Sequence, residues 1–227
     1  MEICWICDSP ANTGEHLTKA SDLKLFFPHV TQENPVYLHN HKRSNQLVRS
    51  RKSKLLKSGA LICNRCNSSL TQPYDFAWER LSKFIFENKQ SIVCSRRIRL
   101  KKLFHGCSVR SSIFIQLYFI KIFGCLIYET THKELLGGFS HCLIHGVAHD
   151  DVELFFYYTD DWFSVGMSDL EVTYDNVHDC VGRAHWIYSV GNFSVKVRYL
   201  HPKSRHLERR SGWHPTGNSG FLRVVEI

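Results

Sequence analysis

Apolar residues recur at helical spacing through YDFAWERLSKFIFENKQ, where Ala77, Leu81, Phe84 and Ile85 share one face with Asn88. Asp75 lies near the start, where a carboxylate suits the positive end of the helix dipole, so the pattern predicts a helix over 75–89. A second apolar run, from Ile113 to Tyr128, is interrupted by Gln116, Lys121 and Gly124. It falls short of the ~18 continuous apolar residues that a bilayer span needs and predicts a core helix. Beyond it, VELFFYY, HWIYSV, FSVKVRYL and FLRVVEI are β-type runs, which predict a mainly antiparallel sheet. The histidine-rich stretch HCLIHGVAHDD carries His141, His145 and His149 at even separations. Gly146 and the β-rich surroundings favour a strand there, with no metal site expected.

The fold class is therefore α+β. With 227 residues, 43% hydrophobic and 13% aromatic, the chain can build ordinary packed cores. Two units are expected, 1–92 and 103–227. The charge run SRRIRLKK at 95–102 is either their boundary or a second phosphate contact. There is no internal repeat. The 29 Lys and Arg against 21 Asp and Glu give +8, concentrated before about residue 110, which suits a polyanion. Nucleic acid, DNA before RNA, is the expected partner in preference to an anionic membrane. The N-terminus MEICWICDSP has no basic segment followed by an apolar one, so a cytoplasmic protein is expected. Protein partners are open, and so is homo-oligomerisation.

Nine cysteines in such a chain point to metal ligands or buried thiols before disulfides. Two Cys-x-x-Cys turns, CWIC (Cys4, Cys7) and CNRC (Cys63, Cys66), supply four thiolates, the set that closes a structural Zn2+ site. The alternative is buried thiols or a redox pair. The 55 residues between the turns imply a large insertion, and the remaining cysteines read mostly as core. The insertion, about 21–58, is dense in Arg and Lys. Arg43, Arg49, Arg51, Lys52, Lys54 and Lys57, with Arg65 in the second turn, form the expected nucleic-acid-binding surface, against the alternative of a merely solvated loop. His39 and His41 in YLHNHKR are read as solvated. The basic, turn-rich stretch from His201 to Gly220 is a long loop able to bind nucleic acid or a partner.

Between the cysteine turns lies Gly14-Glu15-His16, and the second turn runs directly into CNSSLTQPYD. Over residues 1–90 this resembles the HNH endonucleases of the ββα-metal superfamily, of the type built around a four-cysteine zinc. The resemblance implies a zinc-stapled, treble-clef-like ββα-metal domain followed by a separate α+β domain of unknown role. It implies His16 as general base on water, Asn67 as the residue bracing the histidine loop, and Glu15 as a ligand of a catalytic Mg2+ or Mn2+, with Zn2+ as a further option. The family's usual final histidine falls at Phe76. Asp75 is assigned as the second ligand in its place, with Glu79 as rival and a helix-start role as the bland reading. The expected function is metal-dependent phosphodiester hydrolysis of DNA. The alternatives are a degenerate zinc-finger nucleic-acid binder or a structural zinc interaction module. The family type is associated with phage and defence biology.

Overall fold

Burial is most complete along a single helix. In the computed structural model, which describes residues 2–40, 43–104, 108–159, 165–204, 208–217 and 220–226, the apolar run becomes α5 (Ser108–Tyr128). By length and composition α5 is apolar enough to cross a membrane, but it lies mostly buried at the centre of this fold. Each interruption of its apolar run has a tertiary reason. The Gln116 side chain donates to the carbonyls of His149 (3.1 Å) and Val152 (2.7 Å) and accepts from the His149 amide (2.9 Å), so its amide is buried and satisfied. Gly124 makes room for Trp5, whose ring would lie 2.2 Å from a Cβ placed there. Lys121 belongs to the site described below.

On one side of α5 lie the N-terminal elements. Strands β1 (Thr13–His16) and β4 (Lys57–Ile62) pair antiparallel, and helix α2 (Gln72–Glu87) follows the second cysteine turn. The expected helix begins earlier than 75 because Pro73 sits in the first turn, where no backbone donor is needed. Between β1 and β4 the chain forms α1 (Ala20–Phe26), β2 (Val36–Asn40) and β3 (Arg43–Val48), so the basic insertion is structured.

After α2 come α3 (Lys89–Ser95), β5 (Arg97–Arg99) and α4 (Leu100–Leu103), then, beyond α5, α6 (Leu136–His145). Strands β6 (Val152–Tyr158), β7 (Val165–Met167), β8 (Glu171–Asp175), β9 (Cys180–Val190), β10 (Phe193–Leu200) and β11 (Phe221–Glu226) complete the chain. The large sheet has the order β3-β2-β7-β9-β10-β6-β11-β5, with β8 beside β9. It is mainly antiparallel, as expected; β2 with β7 and β11 with β6 run parallel. The 95–102 charge run enters this fold: Ile98 pairs with Leu222 at the sheet edge, and Ile98 and Leu100 are buried. One apolar cluster reaches from Trp5 and Cys63 through Trp78 and α5 to Leu154, Trp186 and Val224.

The histidine stretch corrects the strand expectation. His141 and His145 lie one turn apart on α6, with ring centroids 4.5 Å apart, and Gly146 ends the helix in the left-handed region at φ 66°. His149 lies beyond that cap, packed against Phe139 and Tyr199.

Candidate functional site

The two cysteine turns come together. The sulfurs of Cys4, Cys7, Cys63 and Cys66 all lie within 4.8 Å of one another, with Cys7 and Cys63 at 3.5 Å. A zinc tetrahedron with Zn–S near 2.3 Å has edges of about 3.8 Å, so the cluster is compatible with a bound zinc ion. Cys4, Cys63 and Cys66 are buried and Cys7 is half-buried. Burial pushes the Cys4 and Cys66 thiols upward. Four thiols this close ionise together only when a cation compensates their charge, which is what a divalent metal does. Trp5, inside the first turn, fills the space over Gly124 and donates its indole N–H to the Cys125 sulfur at 3.4 Å, tying the cysteine cluster to α5.

Past this cluster, β1 and β4 lose register between Gly14 and His16. The bulge lies on β4: its amides at Gly59 (2.8 Å) and Ala60 (3.1 Å), together with the Ser58 hydroxyl, bond to one oxygen of Glu129, just past the end of α5. Bulges re-aim side chains, and this one faces Glu15, which is buried. The Glu15 carboxylate meets the ammonium of Lys121 at 3.1 Å, and the same ammonium lies 2.9 Å from Asp75. Asp75 also pairs with Lys19 (3.0 Å), which reaches Glu79 at 3.4 Å. Burial raises the Glu15 pKa, opposed by Lys121. Burial would lower that of Lys121, but the two carboxylates outweigh it and hold the ammonium charged.

The structure therefore brings Glu15 and Asp75 together, but around a lysine. One oxygen of each carboxylate expected to hold a catalytic Mg2+ or Mn2+ is engaged by lysine, Glu15 by Lys121 and Asp75 by Lys121 and Lys19, and with an ammonium between them the pair does not fit a divalent ion as it stands. Asp75 is in the first turn of α2 without being its cap, a position held by Thr71, and Phe76 faces solvent at 58% exposure. Lys121 is the residue that sequence reasoning missed. The signal was present, since a lysine within an apolar core helix requires a buried counter-charge.

Next to Glu15, His16 is half-buried on β1 opposite Lys57 of β4. Its pKa is lowered by burial first and then by Lys57, Lys19 and Lys121, which leaves a neutral imidazole at pH 7 in an electropositive setting. Among the described residues neither ring nitrogen has a hydrogen-bond partner. Asn67, directly after Cys66, donates to the Thr13 hydroxyl (3.2 Å), which itself donates to the Ile62 carbonyl (2.8 Å). Asn67 thus joins the cysteine turn to the strand that carries His16.

The expected basic surface is spread over several elements. Arg49, Arg51 and Lys52 line a cleft of about 490 Å³ beside α1, Lys57 flanks His16, and Lys54 and Arg65 are exposed elsewhere. The side chains of Arg43 and His39, and all of His41 and Cys107, lie outside the described residues. The loop from His201 to Gly220 is tied to the sheet where it is described: Glu208 pairs with Arg183 (3.1 Å) and Arg198, Arg210 pairs with Asp151, and Trp213 bonds the Leu154 backbone.

Another buried carboxyl, Asp22 of α1, is fully enclosed. It accepts from the Trp78 indole at 2.7 Å and from the Tyr188 hydroxyl, and burial raises its pKa. Its contacts are to the aromatic core of α2 and β9, and it reads as a structural anchor.

No family model, curated protein or solved structure matches this chain.

Proposed function

We propose that this chain is an endonuclease of HNH build, a zinc-stapled unit that seats a DNA phosphodiester against His16 and hydrolyses it. The observation that carries the reading is the neutral, unpartnered imidazole of His16 among cationic groups, on a strand braced by Asn67 beside a four-cysteine cluster. Cys4, Cys7, Cys63 and Cys66 hold the zinc, whose part is structural. In the reaction a water oxygen bonds to phosphorus while its proton passes to His16, and the P–O bond to the leaving sugar oxygen breaks as that oxygen takes a proton from solvent. Lys57, exposed opposite His16, offers positive charge to the developing phosphorane. No step is assigned to a second metal, because Glu15 and Asp75 are committed to lysines.

Nicking of supercoiled plasmid by the wild type and by His16→Ala tests the reading; removal of a general base lowers the rate by about 10²–10⁴-fold. Equal rates in the two proteins would overturn it. The pH profile adds a second test with a defined sign. Positive neighbours disfavour the imidazolium, so the acidic limb of the rate lies below the ordinary histidine value. Lys57→Gln removes one of those charges, lets His16 hold its proton more tightly and moves the limb to higher pH. A limb that stays in place, or moves down, would separate His16 from the rate.

A second reading is favoured by Lys121 itself. With an ammonium held between the two carboxylates, the same scaffold binds DNA without cleaving it. Salt-sensitive DNA binding with no nicking under Mg2+, Mn2+ or Zn2+ is the result that would select it.

A further inference from the structure

The large sheet buries one face against α5 and α6; on its other face Arg183 and Arg198 are paired with Glu208 and Glu153, and aromatic rings and further arginines continue to the β5 edge. On the edge strand β5 the outward residues are Arg97 and Arg99, and their partners on β11 are Arg223 and Phe221 respectively. Arg97 and Arg223 thus stand directly opposite each other. Like charges at such positions destabilise a strand pair, and among the described residues no carboxylate pairs with Arg97, Arg99 or Arg223. An anion between them would remove the repulsion. These arginines and Phe221 line a cleft of about 630 Å³.

Aromatic rings continue from the arginines across the same face. Phe221 is 39% exposed, with the Arg99 guanidinium 5.7 Å from its ring centroid. Phe221 and Arg223 also line a second cleft, of about 260 Å³, which runs over β6 to Phe155. Phe155 and Tyr157, two residues apart on β6, hold their rings near parallel at 6° with centroids 6.5 Å apart. The buried Arg198 guanidinium lies 4.6 Å from the Phe155 ring centroid and steadies it. Arginines along one edge leading to half-exposed rings match a chain of phosphates that carries unstacked planar bases. A duplex keeps its bases stacked and offers those rings nothing.

We propose that this sheet face binds single-stranded nucleic acid, with phosphates on Arg97, Arg99 and Arg223 and bases on Phe221 and Tyr157, the Phe155 ring between them being held by Gly212 and Arg198. The proposal is independent of hydrolysis at His16, which lies on the other sheet, and goes beyond the nuclease reading.

The test is fluorescence anisotropy of the full chain, without added divalent ions, using a fluorescein-labelled DNA strand of about 12 nucleotides and its duplex. The single strand is expected to bind more tightly than the duplex. Phe221→Leu, which keeps an apolar side chain but removes the ring, should weaken the single strand about tenfold and leave the duplex unchanged, and Phe221→Tyr should restore binding. Arg223→Gln should reduce the slope of log affinity against log salt by about 0.7. Wild-type melting temperatures in these variants exclude misfolding as the cause. A Phe221→Leu protein that binds the strand like wild type, a wild type that prefers the duplex, or a salt slope untouched by Arg223→Gln would overturn the proposal. Neither result depends on whether His16→Ala abolishes nicking, so failure here and failure of the nuclease reading are distinguishable.

Discussion

Cys63→Ser is expected to leave the chain without bound zinc and without a cooperative thermal transition. Structural zinc contributes about 10–16 kcal/mol in small finger peptides, whereas whole domains are stable by only about 5–15 kcal/mol. Loss of even part of the metal's contribution is therefore enough to unfold the protein. Damage at the cluster should not stay local. Trp5 sits between Cys4 and Cys7, packs over Gly124 and bonds Cys125, so the cysteine turns are continuous with the most buried helix of the fold. Metal analysis should find one zinc per wild-type chain, and far-UV circular dichroism against temperature should show the sharp transition lost in the variant. Cys94→Ser, at an exposed cysteine of α3, should melt like wild type. If the wild type is purified free of zinc and Cys63→Ser melts with it, the cluster is a set of buried thiols and the staple is wrong.

The cysteine cluster was legible because metal-ligand spacing is local: a Cys-x-x-Cys turn announces itself within four residues, and only the meeting of two turns needs the fold. Strands β6, β9, β10 and β11 and the two long helices were legible for a similar reason, since their periods of 2 and 3.6 reflect which face is buried. The error at His141–His149 shows where that signal ends. A glycine after an apolar stretch marks a break, but the sequence does not distinguish a disturbed strand from a left-handed helix cap, and the structure has the cap at Gly146.

The candidate site was legible only in part. Glu15, His16, Asn67 and Asp75 were found from motif positions, and the structure joins Glu15 to Asp75 and braces the strand of His16 through Asn67. What occupies the space between the carboxylates was not legible, because Lys121 is 46 residues from Asp75 in sequence and meets it only through the packing of α5 on α2. The charge of the lysine was visible; its partners were a tertiary fact. The outward sheet face was hidden for the same reason. Arg97 and Arg223 become neighbours only through the pairing of β5 with β11.

Lys121→Ala carries the other large expectation, and it separates the readings of the carboxylate pair. Removing one partner of a buried ion pair strands the opposite charge and costs about 3–5 kcal/mol. Here two carboxylates lose their shared cation; Asp75 keeps Lys19, which it shares with Glu79, and Glu15 keeps no ion pair among the described residues. The loss should depend on pH with a defined sign. Burial raises the Glu15 pKa, so the folded chain holds a proton there more tightly than the unfolded chain, and this group disfavours folding increasingly as pH rises from the ordinary carboxylate range through the raised value. Without Lys121 that value rises further. The deficit measured by urea unfolding should therefore be small near pH 5 and grow towards pH 8, and a deficit flat in pH would remove Glu15 from the account. Replacing all three groups, as Glu15→Gln, Asp75→Asn and Lys121→Met together, should recover much of the loss, because a neutral, hydrogen-bonded core has no stranded charge.

The same alanine variant opens the space between Glu15 and Asp75. Mn2+ should then raise its melting temperature and leave that of the wild type unchanged, since a ligand held only by the folded state stabilises it by about 2.7 kcal/mol at a hundredfold excess over Kd. If the Mn2+-loaded variant nicks DNA and the wild type does not, Lys121 is what keeps an HNH-type centre from using a metal. If the wild type nicks through His16 and the variant gains nothing from Mn2+, hydrolysis here proceeds with lysines in the place of the ion.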